Sequence, residues 1–249
     1  MDVHVVVAPV FGTNCCVVVA AQAHDDGRRD CVVVDPGAGT AGQVDRLVSD
    51  QGLVPRAVLV THGHVDHTWD AAELCDRYDV PLRLHAADAY RVADPFGTIG
   101  LGAALDAPAA SVSEALVEAL DAYGVTPRDF RAPGRVEPFD GAVTDLTAGD
   151  VRLRALHAPG HTEGSTLYLL DGPAAADADA EVTGVVLTGD VLFAGGVGRT
   201  DLPGADVEAM LATLRDVVPA LPPRHVVLPG HGPTSTVARE LATNPFLPR

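Results

Sequence analysis

Short runs of β-branched residues recur along the chain, and each run ends in a turn that contains glycine, proline, aspartate or threonine. Runs of this length and composition predict β-strands. In the first half they cover residues 3–10, 15–20, 31–35 and 57–61, and in the second half residues 151–157, 166–170, 184–188 and 225–228. Both halves of the chain are therefore expected to supply strands.

Apolar residues at helical spacing lie between these strands. One apolar face contains Val44, Leu47 and Val48 and ends at Gly52, and a second, starting near Asp206, contains Val207, Met210, Leu211, Leu214 and Val218. Strands that alternate with helices predict a layered α/β fold. With 249 residues, 47% of them hydrophobic, the chain can bury one large core, so we expect a single domain over residues 1–249.

Two segments interrupt this alternation. Residues 94–132 form a stretch bounded by proline and glycine, in which Ser111 and Glu114 have capping-box spacing ahead of Leu116 and Leu120. This predicts a helical insertion, which is either a surface packing element or a lid over an active site. Residues 173–181 are mostly alanine and aspartate and predict an exposed loop tip.

The net charge of the chain limits the classes of molecule that it is expected to bind. There are 34 acidic and 17 basic residues, for a formal net charge of −17, and every basic residue is arginine. This balance repels phosphate backbones and anionic membranes, so we expect a small-molecule substrate rather than nucleic acid or a membrane. The start of the chain lacks the basic region of a signal peptide, and its four cysteines have no Cys-x-x-Cys spacing, which predicts a cytoplasmic protein with reduced thiols.

The segment His62-Gly63-His64-Val65-Asp66-His67 carries the strongest chemical signal. It follows an apolar strand directly and places four potential metal ligands within six residues. Imidazoles and carboxylates on such a loop can turn toward one point, as a metal ion with bonds of about 2.0–2.2 Å requires. A histidine-rich loop that is merely solvated has no reason to follow directly after a buried strand. We therefore interpret the segment as a metal site.

Three later strand ends repeat this arrangement. His161, Asp190 and His231 each follow an apolar run and a glycine, which lets the backbone bend where the strand stops. Each residue alone is a weak signal, because turn histidines and helix-capping aspartates are common. Four strand ends with the same pattern predict a shared crevice at the carboxyl ends of the strands.

In this order of ligands the sequence resembles the metallo-β-lactamase superfamily, with its His-x-His-x-Asp-His loop followed by His, Asp and His. The resemblance implies a four-layer αββα sandwich with the site at one edge. It also implies two divalent metal ions, zinc in the first place with iron or manganese as alternatives. His62, His64 and His161 would hold one ion, Asp66, His67 and His231 the other, and Asp190 would bridge them. The best-known class of zinc β-lactamases has cysteine where this chain has Asp190, which disfavours antibiotic hydrolysis.

Smaller motifs resemble the type II glyoxalases (hydroxyacylglutathione hydrolases) and their shorter bacterial relatives. They are Gly189-Asp190-Val191-Leu192-Phe193, the segment from Gly198-Arg199-Thr200-Asp201 to Gly204, and the tail Asn244-Pro245-Phe246-Leu247. This resemblance implies hydrolysis of a thioester such as S-lactoylglutathione by a metal-bound hydroxide, with Asp66 and Asp190 as the catalytic carboxylates. The chain ends soon after His231, without the C-terminal helical region that helps full-length glyoxalases bind glutathione, so the thiol carrier stays open.

Two roles and several functions remain as alternatives. Arg199 is expected either to bind a substrate carboxylate or to form a structural ion pair, and Asp35 either to orient a ligand histidine or to shape a turn. His62, His161 and Asp190 alone would suit a mononuclear non-haem iron centre, as in the persulfide dioxygenases of the same superfamily. A lactonase, a nuclease and a non-catalytic metal-stabilised binding protein are less favoured. Metal content would distinguish the thioester hydrolase from the persulfide dioxygenase.

Overall fold

The computed structural model describes residues 1–99, 121–172 and 182–248, and within them two β-sheets lie face to face. The first sheet has the strand order β1-β2-β3-β4-β5, with β1 Asp2–Val7, β2 Asn14–Val19, β3 Arg29–Val34, β4 Leu53–Leu59 and β5 Leu82–Arg83. The second has the order β13-β12-β9-β8-β7-β6, with β6 Val143–Ala148, β7 Val151–His157, β8 Thr166–Asp171, β9 Gly184–Gly189, β12 His225–Pro229 and β13 Ser235–Thr236. A separate hairpin consists of β10 Leu192–Phe193 and β11 Gly196–Val197.

In the described parts of the chain, five α-helices accompany the sheets: α1 Ala41–Gln51, α2 Val65–Thr68, α3 Ala71–Tyr78, α4 Val207–Ala212 and α5 Val237–Thr243. Helix α1 ends at Gly52, which has the left-handed backbone (φ 61°) that glycine adopts without strain. Helix α4 begins after Asp206, whose carboxylate accepts a hydrogen bond from the Ala209 N–H. The chain then continues through a π-helical turn, Thr213–Val217. Both predicted helices are confirmed.

Alternate residues of each central strand face different cores. In β2, Cys16 and Val18 pack between the two sheets, whereas Val17 packs against the helices α1 and α3. In the second sheet, Leu167 and Val186 pack against α4 and its continuation. Because both faces of these strands are buried, they read as continuous apolar runs rather than alternating ones. The result is the four-layer αββα sandwich that the sequence predicted.

Parallel pairing brings the important strand ends to one edge of the molecule. Strands β3 and β4 pair in parallel, and so do β9 and β12. The two sheets are also tied together at this edge, where the Tyr168 hydroxyl donates to the Val60 carbonyl over 2.8 Å and the Thr166 N–H donates to the Thr61 carbonyl over 2.9 Å. The loops that follow β3, β4, β9 and β12 therefore meet beside one another.

Several elements differ from the sequence-based prediction. Strand β1 ends at Val7 instead of residue 10, because the chain turns through Phe11 with φ 66°. Strand β6 was not predicted, since this outermost strand alternates exposed and partly buried residues and lacks an apolar run. The short strands β5, β10, β11 and β13 and helix α5 were also missed. They are too brief for a clear period.

The predicted insertion is described only in part. Its described ends contain short 3₁₀ turns, Gly97–Ile99 and Pro127–Asp129. The helix predicted from Ser111 and the loop tip at residues 173–181 lie outside the described residues, so the lid remains a prediction. Within the described ranges, no helix combines the length and the apolar surface that crossing a bilayer demands.

Candidate metal centre

The seven side chains predicted as ligands meet at the edge where the strand ends converge. They form three overlapping groups whose ligand atoms lie within 4.8 Å of one another: His62, His64 and His161; His62, His67 and Asp190; and Asp66, His67 and His231. Four separate loops supply them, as the repeated strand-end pattern indicated. We call the first group the three-histidine half and the last group the carboxylate half.

The three-histidine half is deeply buried. His62, His64 and His161 are 1%, 6% and 2% exposed. The Nδ1 atom of His64 lies 3.1 Å from His62 Nε2 and 2.9 Å from His161 Nε2. On its other side, His161 Nδ1 lies 2.8 Å from the backbone oxygen of Arg199. A carbonyl oxygen only accepts, so Nδ1 carries the proton and the Nε2 lone pair points into the group.

The carboxylate half is more open. Its Asp66 and His231 side chains are 23% and 27% exposed, and Asp66 Oδ2 lies 3.1 Å from His231 Nε2. His67 Nε2 lies 3.3 Å from His231 Nε2 and 3.6 Å from Asp66 Oδ2. The outer nitrogens lie beside acceptors: His67 Nδ1 is within ion-pair distance of Asp35 Oδ2, at 3.1 Å, and His231 Nδ1 donates to the Phe11 carbonyl over 3.1 Å. Both Nε2 atoms therefore face inward.

Asp190 lies between the two halves. Its Oδ1 is 3.4 Å from His67 Nε2, and its Oδ2 is 3.7 Å from both His161 Nε2 and His231 Nε2. The preceding Gly189 has φ 47°, and a side chain there would collide with the Thr61 hydroxyl. Only glycine allows the chain to bend so closely past the loop that carries His62.

Burial and neighbouring charges give the two halves opposite proton affinities. Burial and the surrounding imidazoles lower the pKa of His62, and burial together with His161 lowers the pKa of His64 to about 3. In the carboxylate half, burial would lower the pKa of His67 and His231, but the carboxylates Asp66 and Asp190 outweigh it and raise both pKa values. Burial would likewise raise the pKa of Asp66, yet His67 and His231 hold it below its usual value.

These residues fit a pair of divalent cations. In the three-histidine half, the inward-facing nitrogens of His62, His64 and His161 lie 2.9–3.1 Å apart. In addition, Asp190 Oδ1 is buried without a hydrogen-bond donor among the described residues. A tetrahedral zinc ion with bonds of about 2.0–2.1 Å separates its ligands by roughly 3.3–3.5 Å, close to the spacings in both halves. Cations would satisfy acceptors that otherwise face one another.

The structure shows which groups Asp35 and Arg199 contact. Asp35 contacts His67, accepts the Thr61 N–H over 2.7 Å and accepts the Thr61 hydroxyl over 2.8 Å, so it orients the ligand loop. The guanidinium of Arg199 forms a two-pronged pair with Asp201, with distances of 2.6 and 2.7 Å. The Arg199 backbone is what reaches the site, through His161. Contact between its half-exposed side chain and a substrate remains a prediction.

Asp88 and Arg91 were missed by sequence reasoning. Both are fully buried beside the three-histidine half, although neither belongs to a recognisable motif. Asp88 accepts the N–H of Gly63, which lies between the ligands His62 and His64. Opposite charges three residues apart are too common in sequences to have identified this pair.

Comparison with known proteins gives a family match and full-length relatives. The model of the metallo-beta-lactamase superfamily matches residues 8–173. An uncharacterized protein of Mycobacterium leprae is 36% identical over 96% of this chain and 95% of its own length. A Bacillus subtilis protein named "Probable metallo-hydrolase YqgX" is 33% identical over 87% of both chains. Hydroxyacylglutathione hydrolase GloC of Haemophilus influenzae is 27% identical over 99% of this chain and 98% of that protein.

Solved structures share the whole fold. The B3 metallo-beta-lactamase BLEG-1 superposes with a TM-score of 0.70 and 27% identity, over 99% of this chain and 100% of that one. TTHA1623 in a di-iron-bound form superposes with a TM-score of 0.68 and 31% identity, over 98% of this chain and 100% of that one. The di-iron form shows that a chain with this fold and similar length can hold two iron ions.

Proposed function

This chain belongs to the metallo-beta-lactamase superfamily, and from that membership and the geometry of its centre we propose that it is a two-metal hydrolase of thioesters. The observation that carries the proposal is the presence of two complete ligand sets that share one carboxylate. His62, His64 and His161 form one set, Asp66, His67 and His231 form the other, and Asp190 is within 3.7 Å of ligands of both.

The residues have distinct roles in this proposal. The seven side chains would hold two divalent cations, and zinc, iron and manganese are all compatible with the imidazole and carboxylate donors. When bound, such a pair would lower the pKa of a coordinated water and polarise an acyl oxygen. Asp66, whose side chain is 23% exposed, orients the nucleophile from the open side. Asp190 holds the two halves at a fixed separation.

Thioesters suit this arrangement better than amides. A thiolate is a stable leaving group and departs without a dedicated general acid, whereas an amine must be protonated as it leaves. The similarity to GloC, a hydroxyacylglutathione hydrolase by name, over nearly the full length of both chains supports an acyl-thiol substrate. The similarity to BLEG-1 makes a β-lactam the necessary comparison substrate.

A persulfide dioxygenase is the competing function. It needs only His62, His161 and Asp190 around one iron, and the structure does place His161 Nε2 3.7 Å from Asp190 Oδ2. That function leaves Asp66, His67 and His231 without a chemical reason to converge. The complete second ligand set therefore favours the two-metal hydrolase.

Elemental analysis of the purified protein, paired with turnover of S-lactoylglutathione with and without oxygen, tests the proposal. We expect two metal ions per chain and thioester cleavage that is independent of oxygen, with slower turnover of a β-lactam. One iron per chain together with oxygen uptake that depends on glutathione persulfide would establish the dioxygenase instead. Two ions with no cleavage of any thioester would reject the proposed substrate class.

A matched control is needed because a fourth group of potential ligands, His24, Asp30 and Asp150, lies away from the centre. His24 Nε2 is 3.2 Å from Asp30 and 3.5 Å from the exposed Asp150. Asp30 is already paired with Arg56 over 2.7 Å, which disfavours a cation there. We expect His24→Asn to retain two ions and full turnover, and His231→Asn to lose one ion. Loss of an ion from the His24 variant would show that the metal count reports on the wrong site.

A further inference from the structure

A buried carboxylate next to the metal centre binds both loops of the three-histidine half. Asp88 ends a short 3₁₀ turn, Ala86–Asp88, after strand β5 and is 0% exposed. Its Oδ2 accepts the N–H of Gly63 over 2.8 Å and the hydroxyl of Thr162 over 2.7 Å. Its Oδ1 accepts the N–H of Gly164 over 2.7 Å. Asp88 thus holds the loop of His62 and His64 together with the loop of His161.

Close packing reinforces these hydrogen bonds. A Cβ atom added at Gly63 would lie 2.5 Å from the Cβ of Arg91, and one added at Gly164 would lie 2.7 Å from the Cβ of Asp88. Both ligand loops therefore present a glycine to the segment from Asp88 to Arg91, and any side chain would push them away from it. This close approach explains why a glycine, Gly63, lies between the ligands His62 and His64.

Arg91 offsets the buried charge of Asp88. Its guanidinium is 0% exposed, and Nε lies 3.4 Å from Asp88 Oδ1. Arg91 also pairs with Glu163, the residue between Thr162 and Gly164, and donates to the Pro203 carbonyl over 3.0 Å. A carboxylate buried without such a partner would be strongly destabilising. The pair with Arg91 makes a buried anchor for the ligand loops possible.

We propose that Asp88 is a positioning residue that sets the metal affinity of the three-histidine half and leaves the carboxylate half unchanged. It touches neither the ion nor the substrate, and it acts by fixing the separation of the two loops that carry His62, His64 and His161. The carboxylate half has its own supports, Asp35 and the Phe11 carbonyl. This inference rests on the two-metal centre of the proposed function but not on its substrate.

The substitution Asp88→Asn removes the anchor with little change in volume. An amide has one acceptor oxygen, so in either orientation its NH₂ group faces donors: Gly63 N–H and the Thr162 hydroxyl on one side, or Gly164 N–H and Arg91 on the other. One ligand loop must therefore shift. Outer partners of metal ligands typically contribute about 10–100-fold in metal affinity, and we expect a loss of that size.

The test measures zinc affinity in two single-site backgrounds by competition with a chromogenic chelator. His231→Asn leaves the three-histidine half intact, and His64→Asn leaves the carboxylate half intact. We expect Asp88→Asn to weaken zinc binding about 10–100-fold in the His231→Asn background and by less than about threefold in the His64→Asn background, well under that range. Equal weakening in both backgrounds, or none in the first, would overturn the proposal.

Two further variants keep the test decisive. Thr162→Val removes one hydrogen bond to Asp88 but leaves its pair with Arg91, so it decides the same comparison if Asp88→Asn does not fold. Asp30→Asn is the matched control, because Asp30 is also a buried aspartate paired with an arginine but lies at the opposite end of β3 from the metal centre. We expect it to leave zinc affinity unchanged in both backgrounds. If zinc binds neither to the two backgrounds nor to the unsubstituted chain, the proposed two-metal centre is wrong, and the role of Asp88 is not what failed.

Discussion

The two halves of the metal centre differ in what surrounds their ligands. In the three-histidine half, the imidazoles are buried to 6% exposure or less and their loops are braced by the buried Asp88. In the carboxylate half, Asp66 and His231 are about a quarter exposed, and carboxylates bring negative charge to the ion. The first half is thus built for fixed geometry and the second for charge and access. Water and substrate are expected to enter at the second.

Removing Asp190 should have the largest effect, because its carboxylate lies against ligands of both halves. We expect Asp190→Ala to lower kcat by more than about 100-fold, above the usual cost of losing an outer partner, and to reduce the metal content below two ions. Steady-state kinetics and elemental analysis measure both. The exposed Asp145→Ala serves as control. A variant that retained two ions and a tenth of the activity would contradict the role of Asp190 as a ligand shared by both halves.

Asp35 should affect both halves, in contrast to Asp88. It contacts His67 in the carboxylate half and also holds the Thr61 backbone and hydroxyl directly before His62. We expect Asp35→Asn to weaken metal binding by about 10–100-fold in each single-site background. Chelator competition gives the two affinities. Weakening in only one background would show that Asp35 supports a single half, as proposed for Asp88.

Acid should remove the ion of the carboxylate half first. The pKa values of His67 and His231 are raised, so in the metal-free protein these ligands hold protons that a metal must displace. The pKa of His64 is lowered to about 3, so this ligand stays unprotonated above about pH 4, and the pKa of His62 is also lowered. Between pH 8 and 5 we expect the affinity of the carboxylate half to fall by roughly tenfold per pH unit for each proton displaced. Metal content after dialysis at each pH measures this, and simultaneous loss of both ions would contradict it.

Arg199 should have the smallest effect. Its backbone supports His161 whatever the side chain, while its half-exposed guanidinium is paired with Asp201. If that guanidinium binds a substrate carboxylate, Arg199→Ala raises KM about fivefold, roughly 1 kcal/mol for an exposed charged contact. Metal content and kcat should not change, and Arg199→Lys should restore part of the affinity. An unchanged KM would make the pair with Asp201 purely structural.

Much of this centre was predictable because strand ends leave local marks in a sequence. His62 to His67, His161, Asp190 and His231 each follow an apolar run, and the run already says that the side chain emerges at a strand end. The resemblance to a known ligand order then grouped them. Asp88 left no such mark, because its partners Gly63, Thr162 and Gly164 are 25–76 residues away and two of them bind through the backbone.

The sequence by itself determined the layered α/β fold, the metal-binding character and the seven candidate ligands, since hydrophobic period and ligand chemistry are local properties of the chain. The tertiary structure decided which half is buried, which nitrogen of each histidine faces inward, and which distant side chains hold the ligand loops. Tautomers are set by partners such as the Arg199 and Phe11 carbonyls, and pKa values by the charges gathered around each group. Tautomers and pKa values depend on residues that are distant in sequence and that folding brings together across the two sheets, so no local sequence pattern predicts them.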